Sequence, residues 1–200
     1  MACCNPEEIL ASTGEFDETA SVAIFNNQIV DYPKTSLAYN NLANQNTTDM
    51  DSQVLGTKNA AGADKWIEVS LNDQKLRAWE GDKIVMEFPI SSGKWAPTPK
   101  GDFSIWYKTK NQSMRGGSKE LGTYYNVANV PHSQFFTPQG HAIHGAYWHN
   151  NFGQPMSHGC VNAPLDQAKL LFEWTGPVID SGKNFVRATE TNPGTRVFIH

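Results

Sequence analysis

From Trp66 to Ile90 the chain runs through three amphipathic segments in succession, and this limits the fold more than any other feature. Ile67, Val69 and Leu71 alternate with Trp66, Glu68 and Ser70, as a half-buried strand requires. Asn72-Asp73 is a turn, Gln74 to Trp79 makes the return strand, Glu80-Gly81-Asp82 turns again, and Ile84, Met86, Phe88 and Ile90 fill one face of a third strand. The result is an antiparallel meander. Pro97-Thr98-Pro99-Lys100-Gly101-Asp102 is too rich in Pro and Gly for a strand interior, after which Phe103, Ile105 and Tyr107 resume the alternation.

Beyond the meander, Lys108 to Thr123 is polar, carries Gly116-Gly117 and reads as a long connection of the kind that can act as a lid. Tyr124 to Val130, Gln134 to Thr137 and Ala142 to Gly145 read as further strands, and Val178 to Asp180, Phe185 to Ala188 and Arg196 to His200 as the last ones. Leu165, Ala168, Leu171 and Phe172 fall at helical spacing, with Pro164 near the start and Gly176-Pro177 as a stop. The unit 66–200 is therefore mainly β with one helix. Ahead of it, 1–65 is an N-terminal extension. Pro6 to Phe16 supports one or two helical turns, and Ser21 to Phe25 and Gln28 to Tyr32 flank Asn26-Asn27 as a small hairpin. Pro33 to Asp64 is rich in Asn, Ser, Thr and Gly and reads as a linker.

Charge excludes some partners. A formal net charge of -4 in 200 residues offers no basic surface for nucleic acid or for an anionic membrane. No apolar run approaches the ~18 to 20 residues of a membrane helix. Met1-Ala2-Cys3-Cys4 followed by a polar run leaves open a lipidated N-terminus whose signal segment has been replaced. Cys3, Cys4 and Cys160 are an odd count of 3, adjacent cysteines rarely pair with each other, and Cys160 is expected as a free thiol.

Chemistry concentrates in Gly140 to Asn162, which holds four of the 6 histidines and Cys160. A thiolate nucleophile needs an imidazole to take its proton, and His141, His144, His149 and His158 are the candidates. His158 and Cys160, two apart, share a face of an extended chain, so spacing alone favours His158 as base, whereas His144 reaches Cys160 only from a neighbouring strand. His141 and His149 read as rim or structural residues. The helix that follows would favour a thiolate through its dipole, and backbone N–H groups of His158, Gly159 and Cys160 could converge as an oxyanion hole. A buried inert cysteine and a zinc site built from these side chains are the competing readings, the latter poorly matched by the ligand spacing.

Ile143-His144-Gly145 followed by Ser157-His158-Gly159-Cys160-Val161-Asn162 resembles the signature of the L,D-transpeptidase (YkuD-type) catalytic domain. Thr98-Pro99-Lys100-Gly101-Asp102-Phe103 is similar to that family's Thr-Pro-x-Gly turn. The resemblance implies a β-sandwich-like domain in which Cys160 attacks a peptidoglycan tetrapeptide stem, releases the terminal D-residue, and passes the acyl group to an amine, giving a 3-3 cross-link. It implies a site outside the cytoplasmic membrane, acylation by carbapenems and no cofactor or metal. By the same resemblance His144 is the base, a carbonyl near Gly145 orients its ring, His158 and Gly159 serve the oxyanion hole, and Ser157 and Asn162 support the loop. Tyr124, Tyr125 and Trp148 are candidates to pack on the stem, or else core aromatics. Hydrolysis of the same stems, or a non-catalytic wall-binding or zinc-stabilised module, are the alternatives. Asn162 stands where other members carry Arg, Ala146 where many are polar, and Gly176 to Gly194 is longer than usual.

Overall fold

The computed structural model describes residues 6–32, 62, 64–95 and 97–200. The Cys3-Cys4 terminus and nearly all of the linker lie outside these residues. The chain opens with α1 (Pro6–Ala11), β1 (Ala23–Phe25) and β2 (Gln28–Val30). The meander follows as β3 (Lys65–Ser70), β4 (Lys75–Glu80) and β5 (Lys83–Pro89), then β6 (Gly101–Ser104), β7 (Tyr107–Gly116) and β8 (Tyr125–Phe135). The remainder is β9 (Ala142–Gly145), β10 (Val161–Ala163), α2 (Leu165–Trp174), β11 (Phe185–Arg187) and β12 (Arg196–Ile199).

Two sheets result. One is ordered β5-β4-β3-β12-β6, so the meander is extended by the C-terminal strand, which runs parallel to β3. Ile67, Val69, Leu76 and Ala78, all 0% exposed, pack in one cluster with Ile143 of β9, Val161 and Ala163 of β10, and Ala168 and Leu171 of α2. Each Ile, Val or Leu side chain among them contributes roughly 1.5–3 kcal/mol on burial, and this cluster holds the strands of the histidine and cysteine against the meander. The second sheet is ordered β10-β9-β8-β1-β2, with β7 on the other edge of β8 and β11 outside β7.

Four expectations change. Phe103 to Tyr107 is not one strand: the chain leaves the first sheet at Ile105, whose N–H donates to Thr195 O, and enters the second at Trp106, whose N–H donates to Phe135 O. Most of the polar Lys108 to Thr123 segment is β7, not a lid. Lys108, Thr109 and Gln112 are buried in it, Lys108 Nζ donating to Phe172 O (2.6 Å) and Thr175 O (2.8 Å) at the end of α2. Burial lowers the Lys108 pKa to about 7. Tyr124 to Val130 and Gln134 to Thr137 merge into the single strand β8, interrupted by positive φ at Asn129 and His132. Val178 to Asp180 forms no strand, because Val178 pairs its N–H and C=O with the Asn192 side-chain amide instead.

In the N-terminal hairpin, Asn26 (φ 52°) and Asn27 (φ 61°) take the positive φ that a two-residue turn needs. The hairpin is not a free-standing appendage: Ile24 of β1 pairs with Asn126 of β8, and Asn27 N–H donates to Tyr124 O at 3.0 Å.

Candidate active site

The site is set by a backbone ladder. β9 and β10 are parallel neighbours with Ile143 opposite Val161, His144 opposite Asn162 and Gly145 opposite Ala163. Side chains alternate, so Ile143 and Val161 enter the core while His144 and Asn162 project to the other face. Cys160, two before Asn162, shares that face, and all three line one cavity with Ser157, His158 and Trp148. A strand of 3 residues, on the order of 10 Å of extended chain, separates Cys160 from α2.

His144 is 2% exposed, and its Nδ1–H donates to Gly145 O at 3.0 Å. That bond fixes the tautomer and leaves Nε2 as the basic nitrogen of the neutral ring. Burial lowers its pKa to about 4, the Gly145 hydrogen bond opposing the shift in part, so the ring is neutral near pH 7. Gly145 itself is required for packing: a Cβ there would lie 2.7 Å from Pro131 Cγ and 3.1 Å from Leu165 Cδ2.

Ser157 ties the cysteine loop. Its hydroxyl donates to Cys160 O at 2.6 Å and accepts the Gly159 N–H at 3.0 Å. The Gly159 N–H is thereby engaged, so its expected place among oxyanion donors is corrected to a conformational one. Its φ of +118° disfavours any side chain, and a Cβ would meet the His141 ring at 3.0 Å. His141 in turn is held by Thr137, its N–H and Nδ1 both on the Thr137 hydroxyl.

His158 belongs to an aromatic wall, its ring 4.5 Å from Tyr125 and stacked 5.0 Å from Trp95. Burial lowers its pKa, against a backbone hydrogen bond involving Thr123. His149, expected as a rim or structural residue, accepts Asn162 Nδ2 on its Nε2 at 3.0 Å, and burial lowers its pKa to about 4. Trp148 Nε1, His149 Nδ1 and Asn162 Oδ1 are buried with no hydrogen-bond partner among the described residues. Trp148 and Asn162 line the cavity of Cys160, and a peptide ligand there could satisfy their two atoms. Of the aromatic candidates, Tyr125 and Trp148 line the cavity and Tyr124 does not; the Tyr124 ring lies under Lys119 Nζ (5.1 Å), on the other side of the strand alternation. Phe25, Met114 and Val127 also line the cavity and carried no signal in the sequence beyond being apolar.

Cys160 is 2% exposed, its Sγ lies 3.8 Å from Gly140 O, and the sulfur is part of a disulfide bond. The expectation of a free thiol is corrected accordingly. As a cystine sulfur it cannot donate to Gly140 O; as a thiol it can. No group of 3 or more His, Cys, Asp or Glu side chains is arranged to hold a metal ion among the described residues.

The sequence profile of the L,D-transpeptidase catalytic domain (YkuD) matches residues 64–199. The chain belongs to this family. A Bacillus licheniformis protein named as a YkuD L,D-transpeptidase is 33% identical over 96 residues, 48% of this chain and 50% of its own length. The chain thus spans about half the length of that curated relative. The solved catalytic domain of the Enterococcus faecium L,D-transpeptidase is 28% identical with a TM-score of 0.51, covering 69% of this chain and 98% of that one. L,D-transpeptidase 3 from Mycobacterium tuberculosis, solved with a faropenem-derived adduct, is 18% identical with a TM-score of 0.52 over 70% of this chain and 61% of its own. The two-sheet architecture is therefore that of the L,D-transpeptidases.

Proposed function

We propose that this L,D-transpeptidase domain uses Cys160, in its thiol form, to transfer the acyl group of a peptidoglycan stem peptide to an amine. The observation that carries the reading is the β9–β10 ladder. It presents His144, with Nδ1 committed to Gly145 O and Nε2 basic, on the same face as Cys160. His144 Nε2 takes the thiol proton, and the thiolate attacks the carbonyl carbon preceding the terminal D-residue of a tetrapeptide stem. The tetrahedral oxyanion is met by backbone N–H groups of the 158–160 loop other than that of Gly159. Collapse expels the D-residue as an amine, protonated by His144, and leaves a thioester on Cys160. A side-chain amine of a neighbouring stem, deprotonated by His144, then attacks the thioester to form the new amide and restore the thiol. Asn162 and Trp148 offer the stem their unpaired Oδ1 and Nε1. Such stems place the activity outside the cytoplasmic membrane.

The test is incubation of the reduced protein with a tetrapeptide muropeptide and an amine acceptor, read by product mass. Loss of the D-residue with gain of the acceptor is expected, and Cys160→Ala should show neither. Turnover by the Cys160→Ala protein would remove Cys160 as nucleophile, and loss of the D-residue with gain of water alone would make the protein a hydrolase.

A further inference from the structure

Formal charge is sparse around the nucleophile, and what there is has one sign. The segments 22–30, 89–95, 117–127 and 146–160 line the Cys160 cavity or pack on its lining, and their only Asp, Glu, Lys or Arg residues are Lys94, Lys119 and Glu120. β7 adds Arg115, which pairs with Glu8 in a separate cavity. Burial lowers the pKa of His141, His144, His149 and His158 below the ordinary 6.5, so none of these rings is charged near pH 7. The fixed positive charge near the cavity is that of two lysines, in a chain whose net charge is -4.

Both lysines are placed by the residues of the site. Lys94 N–H and Trp95 N–H donate to Ser157 O at 2.8 Å and 3.3 Å, on the residue whose hydroxyl holds Cys160 O. Trp95, 37% exposed, stacks on His158 at 5.0 Å, and Lys94 Nζ lies 4.9 Å over the Trp95 ring. Thr123 N–H donates to Ser118 O at 2.9 Å, closing the turn that carries Lys119, whose Nζ lies over Tyr124. His158 joins the two groups, since it also lies 4.5 Å from Tyr125 and has a backbone hydrogen bond with Thr123.

These two cations stand apart from the others. Lys75, Arg77, Arg115, Lys183 and Arg196 each pair with a carboxylate, and the buried Lys65 and Lys108 donate to backbone carbonyls. Lys94 and Lys119, both exposed, form no ion pair among the described residues. Glu120, beside Lys119, is turned onto the Ser118 hydroxyl at 2.6 Å; that bond is the main cause of its lowered pKa and Lys119 the least. A ring face restrains an ammonium without neutralising it, so both charges are left for an anionic ligand. The stem of the proposed reaction supplies one. Its terminal residue carries a free α-carboxylate, about 4 Å of chain beyond the carbonyl that Cys160 attacks.

We propose that Lys94 and Lys119 form a cationic rim that captures the free carboxylate of the stem's terminal D-residue, so that the site selects a chain end. This rests on the acyl transfer proposed for Cys160. Capture steers the stem to the sulfur and is screened by salt.

The experiment uses the full chain, reduced, and first compares two Cys160 alkylating reagents of similar size, anionic iodoacetate and neutral iodoacetamide, with rates read from the Cys160 peptide by mass. The ratio of the iodoacetate rate to the iodoacetamide rate should fall at least about threefold in the Lys94→Gln/Lys119→Gln double variant and further in Lys94→Glu/Lys119→Glu, and the wild-type ratio should fall as salt is raised. Circular dichroism confirms the fold of each variant. The second arm compares tetrapeptide stems whose terminal carboxylate is free or amidated. The wild type should prefer the free form, chiefly through KM, and the double variant should lose that preference. A ratio equal in wild type and folded double variant, or equal use of both stems by the wild type, would overturn the rim. If the ratio falls as expected while the wild type turns over neither stem, the anion-binding rim stands and the proposed acyl transfer falls. If the wild type releases the D-residue and the double variant keeps both ratio and preference, the acyl transfer stands and the rim falls.

Discussion

Ser157→Ala isolates the support of the cysteine loop from the chemistry of the cysteine. Ser157 is 3% exposed, and its hydroxyl makes two hydrogen bonds, donating to Cys160 O at 2.6 Å and accepting Gly159 N–H at 3.0 Å. Removing one oxygen strands a buried carbonyl and a buried N–H together, at roughly 1–3 kcal/mol each, or about 2–6 kcal/mol for the pair. For a domain of this size each kcal/mol is about 2–4 °C, so the melting temperature should fall by at least about 4 °C and at most about 24 °C. The freed Gly159 N–H also releases the loop that aims Cys160, so imipenem acylation of the reduced protein should slow at temperatures where the variant is still folded. Ser157→Thr keeps the hydroxyl and should recover most of both losses. Melting followed by circular dichroism under reducing conditions, with acylation read by intact mass, makes the comparison. A Ser157→Ala melt within about 1 °C of wild type would show that the two bonds do not carry the loop, and the reasoning would fail.

Three further outcomes are expected. His144→Ala should slow acylation by more than the ~10² of a lost general base, and by far more than His158→Ala; the reverse order would move the base to His158. Gly145→Ala should cost about 1–3 kcal/mol by overpacking against Pro131 and Leu165, read as a lower urea midpoint, and an unchanged midpoint would mean that this contact yields freely. Burial holds His132 at about 3 and His144 and His149 at about 4. In the unfolded chain each takes a proton below about pH 6.5, while in the folded protein each stays neutral until the pH nears these lower values. Their stability contribution is whole above pH 6.5 and declines as pH falls toward 3–4, so the melting temperature should be lower at pH 5 than at pH 7. A higher melting temperature at pH 5 would contradict this burial of neutral imidazoles.

The legible parts of the fold were those where a residue's neighbour in sequence sets its environment. Ile67, Val69, Leu76 and Ala78 alternate because β3 and β4 each bury one face, and Asn26-Asn27 turns because of its own backbone preferences. β7 was illegible because Lys108, Thr109 and Gln112 look solvated, and only α2's terminal carbonyls explain why a lysine is buried there. The Cys160 and His144 candidates were visible as residue types in a resembling motif. Their pairing depends on β10, 3 residues long, whose partner strand begins 19 positions earlier. Phe25 and His149 depend on contacts across the fold, Phe25 with Trp148 and His149 with Asn162, and no local pattern announces such contacts.

The β9–β10 ladder makes the site sensitive to length in one place and indifferent to it in another. His144 and Asn162 are partners by register, and Asn162 is further fixed by reciprocal bonds with Ser91, N–H to O at 2.9 Å and 2.8 Å. Inserting or deleting one residue within either strand would turn His144 or Cys160 toward the core and bring Ile143 or Val161 out, even with every catalytic side chain still present. Much of the intervening chain, 146–156, lies between these two clamps and is not bound by that rule. Changes of chain length that reshape substrate recognition while sparing the chemistry therefore belong in this loop, and a family member that keeps both motifs but shifts one strand by a single residue should be folded and inert.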